Sequence, residues 1–227
     1  MLFRRREQPI VFGGPSLRLA RTAYPDAFDY RPPIRRGDLH QLLDIAPEQR
    51  GCILITDGVF GESMAVSPCE CIDVIRAGWL ILGASSVGAL RAADCCSIGM
   101  IGVGDIFFGY KMGYYHSDAD VAVLYQSTTH EECTVSIPLA DHLIHRFAHQ
   151  YPLSNLSRRQ LLRELRSIPW YERDARHTAD VISRHFARPA LATEFMSVWR
   201  EPTLNPKAQD ALLACHMLSH YLLKQRR

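Results

Sequence analysis

The sequence predicts an α/β fold: a small parallel sheet with flanking helices, Rossmann-like in organisation, followed by an α-helical C-terminal part. Three observations predict it. Short apolar runs (PIVF, CILITDGVF and WLILGASS) break at Gly, Asp or Ser, as buried parallel strands do. Helical segments with clear punctuation alternate with these runs over residues 9–99, which implies crossover connections. After about residue 138 the texture turns to successive amphipathic helices separated by prolines. The expected organisation is an α/β core over residues 1–140 and a helical region over 141–227.

PIVFGGPSL, residues 9–17, reads as a first strand and its exit loop. YRPPIRRGDL is extended, with a turn at Arg36-Gly37-Asp38 and a short helix over 38–46 capped by Asp38. CILITDGVF is a β-branched buried strand ending at Asp57-Gly58. SPCECIDVIRAG, residues 67–78, has a cap serine, a proline in the first turn and a closing glycine, so it is a helix. WLILGASS is the next strand, and SVGALRAADCCSIG the helix after it, ended by Gly99. GMIGVGDIFFGYKMG is glycine-rich with a helical centre. Residues 120–128 and 133–139 are expected to pair as a hairpin. Five helical segments follow, from DHLIHRFAHQ to AQDALLACHMLSHYLLKQ.

The net charge of +2 offers no basic field for nucleic acid and no acidic tail. MLFRRREQPIVF is basic but lacks an apolar signal core, and no run approaches the ~20 apolar residues of a membrane span. The seven cysteines form no C-x-x-C pair, so no zinc ribbon or dithiol motif is indicated. A reduced, cytoplasmic protein without membrane, metal or cofactor is expected.

The stretch GASSVGALRAADC, residues 83–95, concentrates chemistry. In a parallel sheet, ligands bind at the carboxyl ends of strands. Ala84-Ser85-Ser86-Val87-Gly88 has the small-x-nucleophile-x-small layout of a sharp strand-to-helix turn, with Ser86 central. The Val87 and Gly88 N–H groups would open the helix and favour an anion. Arg91 lies just over one turn further on, within reach of a carboxylate or phosphate. The alternative is that Ser86 is a plain helix cap and Gly88 a packing glycine. Asp57, at the other chemistry-bearing strand end, is either functional or a turn residue.

Cys71, beside Glu70 near a helix start, is a second candidate nucleophile or persulfide carrier, against a buried packing role. His142, His145 and His149 share a helical face, and His216 with His220 has i,i+4 spacing. Neither group has the glutamate of a metalloprotease helix, so solvated or partner-facing histidines are expected. No P-loop or dinucleotide fingerprint is present.

Together these stretches resemble the TfuA-like family. The resemblance runs through GGPSL (13–17), PPIRRGDL (32–39), ITDGVF (55–60), the helix from Glu70 to Gly78, GASSVGALRAAD (83–94), GMIGVGDIF (99–107) and DADVAVLY (118–125). It implies an accessory protein that acts beside a YcaO enzyme when backbone amides of ribosomal peptides become thioamides. The YcaO enzyme uses ATP to activate the amide oxygen. The TfuA-like partner helps supply sulfur by cleaving the C-terminal thiocarboxylate of a ThiS-like carrier. Asp57, Glu70, Ser86, Gly88, Arg91 and Gly14-Pro15-Ser16 match the family pattern. Pro68-Cys69 replaces a His-Lys pair of many members, and Val87 and Asp94 replace Met and Glu.

Hydrolysis of a thiocarboxylate needs a nucleophile, a proton shuttle and charge stabilisation. Ser86 would attack or position a water, and Val87 and Gly88 would hold the oxyanion. Arg91 would hold the charge, with Asp57 or Glu70 as base and Cys71 as the rival nucleophile. Gly14, Ser16, Ser85, Val87 and Gly88 would bind the carrier tail. No histidine lies in these motifs, and His116 is the nearest outside them. A non-catalytic adaptor that docks the carrier and the YcaO enzyme is the alternative, because an anion pocket can bind a carboxylate without cleaving it.

Overall fold

The computed structural model describes residues 8–61 and 63–225. The basic segment that opens the chain, read above as no signal sequence, lies mostly outside them. Five strands form one parallel sheet: β1 (Ile10–Phe12), β2 (Asp29–Arg31), β3 (Cys52–Ile55), β4 (Leu80–Ala84) and β5 (Ile101–Val103). Their order is β2-β1-β3-β4-β5, with every neighbouring pair parallel. This is the doubly wound order in which the winding reverses between β1 and β3.

The described chain falls into two compact units. The first contains the residues up to His116 together with those from Lys207 onward. It holds the sheet and the helices α1 (Arg18–Ala23), α2 (Pro68–Arg76), α3 (Val87–Cys95) and α4 (Asp105–Lys111). The second, Ser117–Pro206, holds α5 (Asp118–Val121), α6 (Ile137–Gln150), α7 (Asn155–Ser167), α8 (Ala175–His185) and α9 (Ala190–Val198). The last helix, α10 (Pro206–Gln225), runs back into the first unit.

Alternation along the strands builds two cores. Ile10, Phe12, Ile53, Ile55 and Ile81 face Cys71 and Val74 of α2 and Val87, Ala92 and Cys95 of α3. Val11, Leu54, Leu82, Ala84 and Val103 face Ala20 of α1, Leu17 just before it, and Ala211, Ala214, Cys215 and Leu218 of α10. Both faces of the sheet are therefore covered, as an all-parallel sheet requires. At ~25 cal/mol per Å² each buried strand residue contributes about 1.5–3 kcal/mol, so both helix layers matter to stability.

In the second unit Asp120 of α5 accepts a 3.0 Å ion-pair bond from Arg166 Nε of α7. Arg173, also buried, donates from Nη2 to Ala119 O at 2.9 Å, and burial lowers its pKa to about 10. Ser136, Ser154 and Asp174 cap α6, α7 and α8 with their side chains, the turn chemistry these polar residues favour.

Three local expectations are corrected. Residues 38–46 form a 3-10 turn over His40–Asp44, and Asp38 does not cap it; its carboxylate accepts from Arg35 N–H at 2.8 Å. The expected hairpin reduces to one antiparallel bridge, Tyr125 with Glu132, because Ser136 and Pro138 start α6 where the second strand was expected. The glycine-rich stretch 99–113 contains an edge strand, β5, before its helix α4.

Candidate functional site at the carboxyl edge of the sheet

The exit loops of β1 and β3 meet where the winding reverses. Gly13-Gly14 ends β1, and a hypothetical Cβ on Gly13 would lie 2.1 Å from Thr56 Oγ1, so only glycine lets the two strands leave side by side. Asp57 then gathers the loop. Its Oδ2 accepts from Gly14 N–H at 2.8 Å and Ser16 N–H at 3.0 Å, and its Oδ1 accepts from Ser16 Oγ at 2.6 Å. Gly14, Ser16 and Asp57, separated by some forty residues in sequence, are thus one constellation, and Ser16 and Asp57 are buried. With a longer bond from Thr56 Oγ1 to Oδ2 at 3.5 Å, all of the roughly four acceptor positions on this carboxylate are used.

The serine turn joins the same point through a backbone oxygen. Thr56 O accepts from Ser86 N–H at 3.1 Å and from Gly88 N–H at 3.3 Å. A Cβ on Gly88 would lie 1.9 Å from Ile55 O, so the glycine allows α3 to start directly on β3. The Gly88 donor is committed to Thr56 O and Leu90 N–H to Ser86 O.

Ser86 occupies the N-cap position of α3, yet its side chain makes no capping bond. It is 2% exposed. The sharp turn belongs to Ser85, whose φ of 68° lies in the left-handed region. That conformation costs a non-glycine residue about 1–2 kcal/mol. It is held by a 2.6 Å bond that the Ser85 hydroxyl donates to Lys207 O at the start of α10.

Glu70 and Arg91 flank this edge as anchors. Glu70 completes a capping box with Ser67: its Oε1 accepts from Ser67 N–H at 3.1 Å, while Ser67 Oγ accepts from Glu70 N–H. Its Oε2 accepts from Gly37 N–H at 2.7 Å, pinning the Arg-Gly-Asp turn. Arg91 donates from Nε to Val66 O at 2.7 Å and from Nη1 to Asp94 at 2.8 Å. That uses two of its five N–H donors.

Cys71 is fully buried in the core under α2. A hydrogen bond with the Cys95 thiol, followed by burial, pushes its pKa far above the usual range, and the same bond lowers that of Cys95. Cys71 is therefore held as a thiol, which leaves little thiolate for attack. His116 is exposed at the end of the first unit. None of the seven cysteines is in a disulfide.

Two residues to which the sequence analysis gave no role shape the edge. Thr56 supplies the carbonyl just described. Asp210 of α10 caps α4, accepting from Asp105 N–H at 3.0 Å and Ile106 N–H at 2.9 Å. Burial, outweighing these two bonds, raises its pKa to about 6. The segment from Lys207 to Asp210 thus lies over the ends of β4 and β5.

A family profile described as TfuA-like protein matches residues 57–174, just over half of the chain. The chain belongs to the TfuA-like family. The match begins at Asp57 and takes in Glu70, Ser85, Ser86 and Arg91. At family level this TfuA-like assignment supports an accessory role in the thioamide pathway. No curated protein matches the chain. No helix among the described residues is long and apolar enough to cross a membrane.

Proposed function

We propose that this TfuA-like protein supplies sulfide to a YcaO enzyme by hydrolysing the C-terminal thiocarboxylate of a ThiS-like carrier at the carboxyl edge of its sheet. The observation that carries the reading is the convergence of Gly14, Ser16, Asp57 and the serine turn on the β1/β3 reversal, linked by Asp57 and Thr56 O. Ligands of doubly wound sheets sit at that point.

In the overall step, water adds to the thiocarboxylate carbon, the carbon–sulfur bond breaks, and the products are a carboxylate, hydrosulfide and a proton. Ser86 either attacks first, giving an ester that water then cleaves, or orients the attacking water. Asp57 receives the proton by giving up its longest bond, the 3.5 Å one from Thr56 Oγ1, and it is better placed than Glu70 because Thr56, its neighbour, binds the serine turn directly. The Val87 N–H, in the first turn of α3, takes the developing oxyanion in place of Gly88, whose N–H is held by Thr56 O. The unused Arg91 donors hold the charge of the departing sulfur.

The 2% exposure of Ser86 favours the second reading, an adaptor that docks carrier and YcaO enzyme without chemistry. Sulfide release from a thiocarboxylated ThiS-like carrier separates the two. Hydrolysis requires release that Ser86→Ala abolishes while carrier binding persists. An adaptor binds the carrier and releases nothing.

A further inference from the structure

The exposed side of α6 carries His142, His145 and His149. Spacing alone leaves them as solvated side chains, and the structure adds a specific relation between two of them. His145 Nε2 and His149 Nε2 lie 3.2 Å apart, with ring planes at 78° and ring centres at 4.7 Å. Both side chains are exposed, while Leu143, Ile144 and Phe147 bury the opposite face and fix the backbone beneath the pair. An N–H···N bond aligned along both ring axes would hold the centres about 5.5 Å apart. Here at least one lone pair is turned off the line between the nitrogens.

Two imidazole nitrogens 3.2 Å apart, each about 2.05 Å from one ion, subtend about 103° at it, between the octahedral and tetrahedral angles. We propose that His145 and His149 form a two-point site for a borderline divalent cation such as Ni2+, Cu2+ or Zn2+, with water in the remaining positions. Two neutral nitrogen donors suit these ions and not Mg2+ or Ca2+, which take oxygen. Among the described residues no group of three or more His, Cys, Asp or Glu fits a metal. The pair is therefore an open, exchangeable site rather than a structural one. It is independent of the sulfide chemistry proposed above.

The test is a Ni2+ titration of the full chain with labelled histidine rings, read by nuclear magnetic resonance. The His145 and His149 signals are expected to broaden together at the lowest Ni2+ concentrations. His149→Ala should raise the Ni2+ concentration that broadens His145 by about tenfold, since one of two linked donors is lost. His142→Ala should change it less than about twofold. The His216–His220 pair, whose ring centres are 4.4 Å apart, gives its own signals in the same spectra and does not confuse the result. Both substituted positions are exposed, and circular dichroism checks that the variants keep the fold. Equal broadening of His145 in the His149→Ala protein would overturn the site, as would a pair that stays sharp while other histidines broaden.

Discussion

Asp57 Oδ1 accepts a 2.6 Å hydrogen bond from the Ser16 hydroxyl, and Asp57 Oδ2 accepts two backbone N–H groups of the same loop. One carboxylate therefore holds the β1 exit against the β3 exit. Asp57→Asn replaces an acceptor oxygen with a donor that faces N–H or O–H groups. An expected loss of about 2 kcal/mol follows from leaving buried donors unpaired. Urea unfolding measures it, and Ser16→Ala, which removes only the hydroxyl bond, should lose less.

Gly88→Ala places a methyl where the Ile55 carbonyl already stands. Neither backbone can yield without separating α3 from β3. The expected cost is about 3 kcal/mol or more, at the upper end for overpacking. Thermal unfolding of the purified variant checks it. A variant as stable as the parent would contradict the close helix–strand contact.

Asp210 gives a pH signature with a definite sign. Its pKa is raised by burial from the model-peptide value of 3.8 to about 6 in the folded protein. The folded state therefore holds the proton more tightly than the unfolded chain between those values. Its contribution to stability is fully present below about pH 4 and is lost as pH rises to about 6, up to about 3 kcal/mol in all. Urea unfolding of the parent and Asp210→Asn from pH 4 to 7 should show the parent losing stability relative to the variant across that window. Parallel curves would show that burial does not act on Asp210 as described.

Cys71 is expected to resist alkylation. Cys69 and Cys133 are exposed, whereas Cys71 is buried and held as a thiol by its bond with Cys95. Peptide mapping after brief iodoacetamide treatment should find label on Cys69 and Cys133 and none on Cys71 until the chain is unfolded. Cys71→Ala should retain sulfide release and lose only stability. Rapid native labelling of Cys71 would restore it as a nucleophile.

What could be read from the sequence followed from continuous patterns. β3 and β4 are uninterrupted apolar runs, and Ser67-Pro68 with Glu70 announces a capped helix. The edge strands were harder. β2 reads Asp-Tyr-Arg and is only half-buried, and β5 exposes Ile101, so neither shows a buried run. Asp57 and the serine turn were visible as strand ends, but their link to Gly14 and Ser16 depends on strand order, which no local pattern carries. The spacing of small residues pointed to Ser86, whereas the left-handed turn falls on Ser85, because a positive φ leaves no mark in composition. Asp210 caps α4 from 104 residues away, and nothing near either segment signals that pairing. The small residues Ala211, Ala214 and Cys215 let α10 pack on the sheet, yet the same pattern would suit any helix contact.

The most direct test of the central claim is to incubate the thiocarboxylated ThiS-like carrier with this protein in heavy-oxygen water and weigh the carrier by mass spectrometry. Hydrolysis at the sheet edge predicts a carrier that ends in a carboxylate containing one heavy oxygen, with equimolar sulfide, and no conversion with Asp57→Asn or Ser86→Ala. A carrier that keeps its thiocarboxylate, or loses sulfur without taking up heavy oxygen, would contradict it.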